Sequence, residues 1–182
     1  MSEARARLLS KATGLFYAEG IRAVGVDRVI GEAQVTRATL YKHFPSKDDL
    51  VVAFLRRRHD RMMHAVEDYV AGVEEPRARV LAIFDYLDEW FREPDFRGCP
   101  WMNAYGELGP TNPAVAAEVH HHQQAFRKLV TGIVLDAGYA RDLADCIYLL
   151  VEGAVATAMV QHAACPAAEA RRGAELMLRA AA

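Results

Sequence analysis

Disulfide-forming cysteines, strand-like patterns and long apolar runs are all scarce in this 182-residue chain. The three cysteines, Cys99, Cys146 and Cys165, are odd in number and far apart, which excludes a disulfide framework and favours a reducing, intracellular setting. Alternating runs of Val, Ile, Thr and aromatic residues between turn signals are nearly absent, so we expect no β-sheet. The chain is therefore expected to be all-α.

No segment has the length and composition expected of a membrane anchor. The longest apolar run, near residues 146–160, is interrupted by Glu152 and is shorter than the roughly 20 residues that cross a bilayer. The N-terminal stretch MSEARARLLSKATGLF lacks the apolar core and cleavage site of a signal peptide. We therefore expect a cytoplasmic protein without a membrane partner.

The sequence also lacks the motifs of common catalytic and metal sites. It contains no G-x-S-x-G elbow, no P-loop and no H-E-x-x-H. Three consecutive histidines, at 120–122, point about 100° apart on a helix and cannot chelate one ion together. We expect a solvated helix face there, with one histidine reaching a pocket. The sequence therefore predicts no catalytic residue, no metal and no cofactor.

What the chain does contain is an uneven distribution of charge. Residues 1–62 hold 12 Lys and Arg against 7 Asp and Glu, whereas residues 63–182 hold 10 against 17. A basic head on an acidic body favours a polyanionic partner for the head alone.

Apolar residues recur at helical spacing along the chain and predict about nine helices. The expected helices cover residues 3–18, 26–33, 36–44, 46–71, 75–93, 101–108, 114–136, 141–164 and 167–180. Gly20 and Gly138 are expected to end helices, and Pro166 to separate the last two.

The segment VTRATLYKHFPSKDDL, residues 35–50, contains many polar side chains and few apolar ones. Thr36 is expected to cap the third helix, on which Leu40 and Phe44 face inward. This orientation turns the remaining side chains outward, namely Arg37, Ala38, Tyr41 and Lys42, with Thr39 and His43 on the flank. Two short helices joined by a tight turn form a helix-turn-helix, and this set of side chains suits base edges and phosphates in the DNA major groove. A short amphipathic helix with a merely solvated face is the alternative.

The stretch GIRAVGVDRVIGEAQVTRATLYKHFPSKDDLVVAFL resembles the DNA-binding region of the TetR family of transcriptional regulators, and its T-L-Y-x-H-F-x-S-K core is highly specific. The resemblance covers about residues 5–55. It implies a helix-turn-helix domain at 1–47, and an effector-binding and dimerisation domain at 48–182. It also implies a dimer that binds double-stranded operator DNA, by family habit as a repressor. Carried over by position, the implied DNA contacts are Thr36, Arg37, Thr39, Tyr41, Lys42, His43 and Lys47.

Three residues depart from the family pattern in this region. Gly25 stands where many relatives have a Ser or Thr that caps the second helix and touches a phosphate. Gln34 replaces a common turn glycine. Gly31 lies inside the second helix, where glycine costs roughly 0.5–1 kcal/mol relative to alanine. We expect these departures to affect local stability more than function.

The middle helices carry many aromatic residues beside a segment broken by proline and glycine. At helical spacing, aromatic residues often form ordinary core, but this set could also line a cavity for an apolar or aromatic small-molecule effector. The FRGC…N…E pattern resembles a subgroup of these regulators in which this segment borders the effector site. The predicted effector contacts are Phe84, Trp90, Cys99, Trp101, Asn103, Tyr105, Glu107 and Phe126. Cys99 is either a reactive sensor, as in some relatives, or an inert buried thiol.

The last two helices are rich in small and apolar residues, and an isologous four-helix contact between two copies would bury them. Ordinary intramolecular packing is the alternative for part of this set, and the family resemblance favours a homodimer. The residues concerned are Ile147, Leu150, Val151, Ala154, Ala158 and Leu176. The rival function classes are an enzyme and a protein-interaction module that does not bind DNA.

Overall fold

The computed structural model describes residues 2–181 and contains nine α-helices over that range, with no strand among those residues. In chain order the helices are α1 (Glu3–Glu19), α2 (Val26–Ala33), α3 (Arg37–His43), α4 (Lys47–Ala71), α5 (Pro76–Phe91), α6 (Pro100–Leu108), α7 (Pro113–Asp136), α8 (Arg141–Gln161) and α9 (Cys165–Ala180). The all-α prediction is confirmed.

Local signals in the sequence explain where several helices begin and end. The Ser2 hydroxyl accepts a hydrogen bond from the Arg5 amide at the start of α1, and the Glu75 carboxylate accepts from two amides at the start of α5. Such side chains satisfy amides that have no partner within the helix. Gly20, which follows α1, has a φ of 92°, a conformation that side chains other than glycine rarely adopt.

The junction between the last two helices differs from the prediction. α8 already ends at Gln161, where His162 takes the left-handed conformation, and α9 begins at Cys165. Pro166 therefore lies in the first turn of α9 and does not separate the two helices. A proline is tolerated there because the first amides of a helix have no intrahelical acceptor to bond.

The helices form two compact units. One comprises the described residues up to Asp60 together with Pro100–His122, and the other comprises Arg61–Cys99 and the described residues from Gln123 onwards. The first unit has a core of fully buried side chains that includes Leu8, Val29, Leu40, Phe54 and Trp101. In the second unit α9 packs against α5 and α8, over a core that includes Ile83, Phe84, Leu87, Ile147 and Leu178. This packing does not test the functional boundary after Lys47, which stays a prediction.

α8 is long and apolar enough, by length and composition, to cross a membrane. Its 21 residues include an 18-residue window of mean hydropathy 1.7. The apolar stretch is therefore longer than the run near residues 146–160 that the sequence analysis identified. One side of α8 is buried within its unit, at Ala144, Ile147, Val151, Ala154 and Ala158. Core helices of soluble proteins have this same composition, so the helix is weak support for a membrane segment.

Candidate functional site

The turn between α2 and α3 depends on an unusual backbone conformation at Gln34. This residue has φ 51° and ψ 52°, and its amide donates to the carbonyls of Ile30 and Gly31 at the end of α2. Left-handed geometry closes the helix and redirects the chain within two residues. At the other end of α2, Gly25 occupies the cap position without a side-chain hydrogen bond.

α3 has one buried side and one exposed side, as the sequence predicts. The Thr36 hydroxyl accepts from the Thr39 amide at 3.1 Å and caps the helix. Leu40 is fully buried and Phe44 is 2% exposed. Opposite them the outer side chains are exposed or half-buried, and these are Arg37, Thr39, Tyr41, Lys42 and His43.

The outward cation Arg37 is held only loosely. Its guanidinium pairs with Asp27 at 2.5 Å, but both side chains are more than half exposed. Ion pairs this exposed are weak and screened by salt. The guanidinium can therefore exchange this carboxylate for a base edge or a phosphate at little cost.

Lys47, a predicted DNA contact, is bound to the turn that follows α1. Its Nζ donates to the Ile21 carbonyl oxygen at 2.6 Å and lies 5.9 Å from the centre of the Phe16 ring. Burial lowers the pKa of the Lys47 ammonium, while the nearby Glu107 carboxylate acts in the opposite direction.

Glu107, a predicted effector contact on α6, reaches the same turn. One carboxylate oxygen accepts from the Ile21 amide at 3.0 Å and the other accepts from the Arg22 amide at 2.7 Å. Both oxygens of Glu107 therefore accept hydrogen bonds from the backbone of the turn after α1.

Three further predicted effector contacts lie on α6 in the first unit. Trp101 is 1% exposed and stacks on the His122 ring, with centroids 3.3 Å apart and an angle of 5° between the planes. Tyr105 is 44% exposed and meets His120 edge-on at 6.1 Å. Asn103 is half-buried.

A histidine pair joins α4 to α7 beside this stack. The Nδ1 atoms of His59 and His122 are 3.0 Å apart, so one ring donates and the other accepts. Burial, together with the neighbouring rings of His59 and His121, lowers the pKa of His122 to about 3. The sequence predicts that one of the three histidines reaches a pocket; His122 is buried, whereas His120 and His121 are exposed. No group of three or more metal-ligating side chains lies together within residues 2–181.

The other four predicted effector contacts belong to the second unit, and all four are buried. Trp90 contacts Phe91 and Phe96, with ring centroids 5.8 and 5.2 Å apart. Phe126 meets Tyr148 edge-on at 6.4 Å. Phe84 is fully buried and Cys99 is 6% exposed.

A polar cluster in the second unit was missed by sequence reasoning. The Gln123 amide donates to the Glu152 carboxylate at 3.2 Å, and the Tyr148 hydroxyl donates to the Gln123 amide oxygen. Burial raises the pKa of Glu152, and burial beside this carboxylate raises that of Tyr148 to about 12. The signal in the sequence was the single acidic residue that interrupts the apolar run of α8, since a buried charged group needs hydrogen-bonding partners.

Two family models match most of the chain. The model described as bacterial regulatory proteins, tetR family, matches residues 8–54, which contain the helix-turn-helix. The model described as tetracyclin repressor-like, C-terminal domain, matches residues 76–174. The chain belongs to the TetR family. Members of the TetR family are DNA-binding transcriptional regulators and not enzymes, so the expected absence of enzymatic function and the expected regulatory class both hold.

Individual TetR-family proteins show the same likeness. The crystal structure of SCO4454, a TetR-family transcriptional regulator from Streptomyces coelicolor, has a TM-score of 0.88 and 37% identity over 99% of this chain and 90% of that one. The transcriptional activator FasR of Mycolicibacterium smegmatis is 31% identical over 78% of this chain and 66% of its own length. The transcriptional repressor KstR2 of Mycobacterium tuberculosis is 31% identical over 44% of this chain and 40% of its own length. The chain thus spans less than two thirds of the length of these curated relatives.

Proposed function

We propose that this protein is an effector-responsive repressor that binds a palindromic operator as a homodimer. The observation that carries the proposal is the division of α3, with Leu40 and Phe44 in the core and Arg37, Tyr41 and Lys42 on the outer surface. A recognition helix needs a polar face that can enter the major groove and an apolar face that holds it to the domain.

The proposed DNA contacts are those predicted from the sequence. Arg37 can donate two hydrogen bonds to the edge of one guanine. Lys42 and Tyr41 can donate to phosphate oxygens. Thr36, Thr39 and His43 lie at the margins of the same helix, and Lys47 follows at the start of α4.

The dimer is proposed to form through α8 and α9. Large apolar side chains stay exposed on these two helices, at Leu149, Val160, Leu176 and Met177. One recognition helix reads only a few base pairs, so two heads spaced one helical turn of DNA apart, about 34–36 Å, are needed for a specific site.

The effector is proposed to be a small apolar or aromatic molecule that lowers operator affinity in the cytoplasm. Support comes from the aromatic rings around Trp90 and Phe126 in one unit and around Trp101 in the other. The polar cluster at Glu152 offers hydrogen-bonding groups to such a molecule. The coupling expected is about 1–3 kcal/mol, roughly 5–150-fold, and operator DNA must weaken effector binding by the same factor.

The test is selection of duplexes from a random pool, followed by titration of the selected duplex at several salt concentrations. We expect a palindrome whose binding constant falls linearly with salt on logarithmic axes, because phosphate contacts release counterions. A small-molecule library is then screened for release of that duplex. Recovery of no enriched sequence by a folded protein would overturn the proposal.

Activation is the second candidate, because FasR, one of the relatives described above, is named an activator. Transcription in vitro from a promoter that carries the selected palindrome separates the two. A repressor lowers transcript yield when added without effector, and an activator raises it.

A further inference from the structure

The turn after α1 is held from two sides by opposite charges. The peptide groups at Ile21 lie between Glu107 of α6, which accepts from the amide, and Lys47 of α4, which donates to the carbonyl. The Arg22 amide gives the same carboxylate a second hydrogen bond. We refer to Glu107, Lys47 and the backbone of Ile21 and Arg22 as the clasp.

The hydrogen bonds of the clasp are made by charged side chains and are therefore strong. Hydrogen bonds to a charged partner are shorter and roughly twice as strong as those between neutral groups. Here the Glu107 bonds measure 2.7 and 3.0 Å and the Lys47 bond measures 2.6 Å. The Ile21 side chain is 2% exposed, so the turn is anchored in the core of the unit as well.

The residue before the clasp, Gly20, has a backbone conformation that favours glycine, whereas a side chain there would make only an ordinary contact with the carboxylate. Gly20 has φ 92°, and a Cβ atom built there would lie 3.5 Å from the nearest Glu107 oxygen. The amides of the next two residues, Ile21 and Arg22, both donate to the Glu107 carboxylate.

The clasp joins α6 to the segment that carries the recognition helix. The held turn leads directly into α2, which begins at Val26, and α2 packs on α1 and α3. Because α1, α2 and α3 pack on one another, a contact that fixes the turn also fixes the direction of α3. α6 also carries Trp101 and Tyr105, two of the effector contacts predicted from the sequence.

We propose that Glu107 is a positioning residue for operator binding, which acts with Lys47 through the clasp to hold the DNA-binding head against α6. This inference rests on the proposed DNA-binding function. Glu107 then orients the DNA-binding helices and does not contact the effector. Lys47 then has a structural role in addition to phosphate contact.

The first measurement is amide hydrogen exchange in the DNA-free protein, with Glu107→Gln as the variant. Glutamine keeps the shape but loses the charge and one of the two acceptor oxygens. We expect the Ile21 and Arg22 amides to exchange about tenfold faster, while the amides of α3 keep their protection. Unchanged exchange at both amides would overturn the clasp.

The second measurement is operator affinity, with the duplex selected by the wild-type protein as the probe. Glu107→Gln should weaken binding about fivefold to tenfold, with the salt slope unchanged because no phosphate contact is lost. The matched control is Glu118→Gln, which removes another carboxylate of the same unit, the partner of Arg56. The control should bind within about twofold of wild type.

Lys47→Met tests the other charged side chain of the clasp. If Lys47 serves the clasp, affinity falls and the loss in the double variant is smaller than the sum of the single losses. If Lys47 only contacts phosphate, the slope falls by about one and the losses add.

The outcomes separate the two proposals. If the wild-type protein selects no duplex, both the proposed function and the positioning role of Glu107 are overturned. Wild-type protein that binds its operator, with unchanged affinity in Glu107→Gln despite faster exchange at Ile21 and Arg22, overturns the positioning role alone.

Discussion

At the scale of single residues, neighbouring positions on and just after the seven-residue helix α3 differ sharply in exposure. Leu40 and Phe44 are buried while Tyr41, next to Leu40, is 40% exposed. A tyrosine with that exposure contributes little to the core, so its replacement tests the surface rather than the fold.

Tyr41→Ala and Lys42→Ala should each weaken operator binding at least about tenfold, because each loses a contact worth roughly 1–3 kcal/mol. Gel-shift titration measures the loss, and circular dichroism should be that of the wild type. Lys128→Ala is the matched control, since Lys128 is an exposed lysine on α7. Wild-type affinity in both α3 variants would exclude this helix from the interface.

His122 makes the stability of the protein depend on pH. Its pKa is lowered to about 3 in the folded chain, so the unfolded chain takes up the proton first as pH falls below the usual value of 6.5. This stabilisation is full above pH 6.5 and is lost progressively between pH 6.5 and 3. From pH 7 to 5 the loss from this one group is about 2 kcal/mol.

Urea unfolding at several pH values between 7 and 5 measures this dependence. His122→Asn should flatten the curve relative to wild type, because asparagine has no proton to gain. His120→Asn, on the exposed side of the same helix, should keep the wild-type slope. Parallel curves for wild type and His122→Asn would contradict the proposed origin of the pH dependence.

At the scale of elements, α2 and the turn that follows it contain two suboptimal residues. Gln34 adopts left-handed geometry at φ 51°, where a side chain costs about 1–2 kcal/mol. Gly31 lies inside α2, and a Cβ built there meets nothing within 4 Å. A methyl group at Gly31 would therefore disturb no neighbour, and a glycine at position 34 would relieve the left-handed backbone.

Gln34→Gly and Gly31→Ala should each stabilise the protein by about 0.5–1 kcal/mol, raising the melting temperature by roughly 1–4 °C. Gly138→Ala is the opposite case, since Gly138 has φ 85° and open space around it, and it should destabilise through backbone strain alone. Calorimetry checks all three. A lower melting temperature for Gln34→Gly would show that its side chain contributes a contact that outweighs the strain.

The order and type of the helices could be predicted because their determinants are local. The apolar spacing, the Thr36 cap and the glycine after α1 all act within a few residues. The clasp could not be predicted, because the residues that it joins are 86 positions apart. An acidic residue at the end of α6 predicts a polar contact, but nothing local shows that its partner is the backbone at Ile21.

Other features of the candidate site depended on packing in the same way. The sequence predicts that one histidine of the triplet reaches a pocket, but the stack of His122 on Trp101 requires α6 and α7 to lie side by side. Glu152 was visible only as an interruption in α8, and its partner Gln123 lies on another helix, 29 positions away.

At the scale of the whole molecule, the exposed apolar residues of α8 and α9 determine the expected assembly. Leu149 is 67% exposed and Leu176 is 66% exposed, values that a second copy would reduce. Leu149→Lys should raise the dimer dissociation constant about 30-fold or more, because a charge replaces about 2 kcal/mol of apolar contact. Palindrome binding should fall in parallel.

Sedimentation at micromolar concentration measures the dimer, and Leu135→Lys is the control. Leu135 is 44% exposed on α7, outside the proposed interface. A wild-type protein that sediments as a monomer with and without DNA would refute the dimer, and equal dissociation constants for the two variants would place the interface elsewhere.

The stack at Trp101 also gives the protein a built-in optical probe. The chain has two tryptophans, and one lies in each compact unit, with Trp90 among phenylalanines and Trp101 face to face with an imidazole. Trp90→Phe would leave emission from the head-containing unit alone, and Trp101→Phe emission from the other. Because indole emission responds to the groups in contact with the ring, the emission of Trp101 should change when its stack on His122 changes, and the response of each unit to DNA or effector could be followed separately in solution.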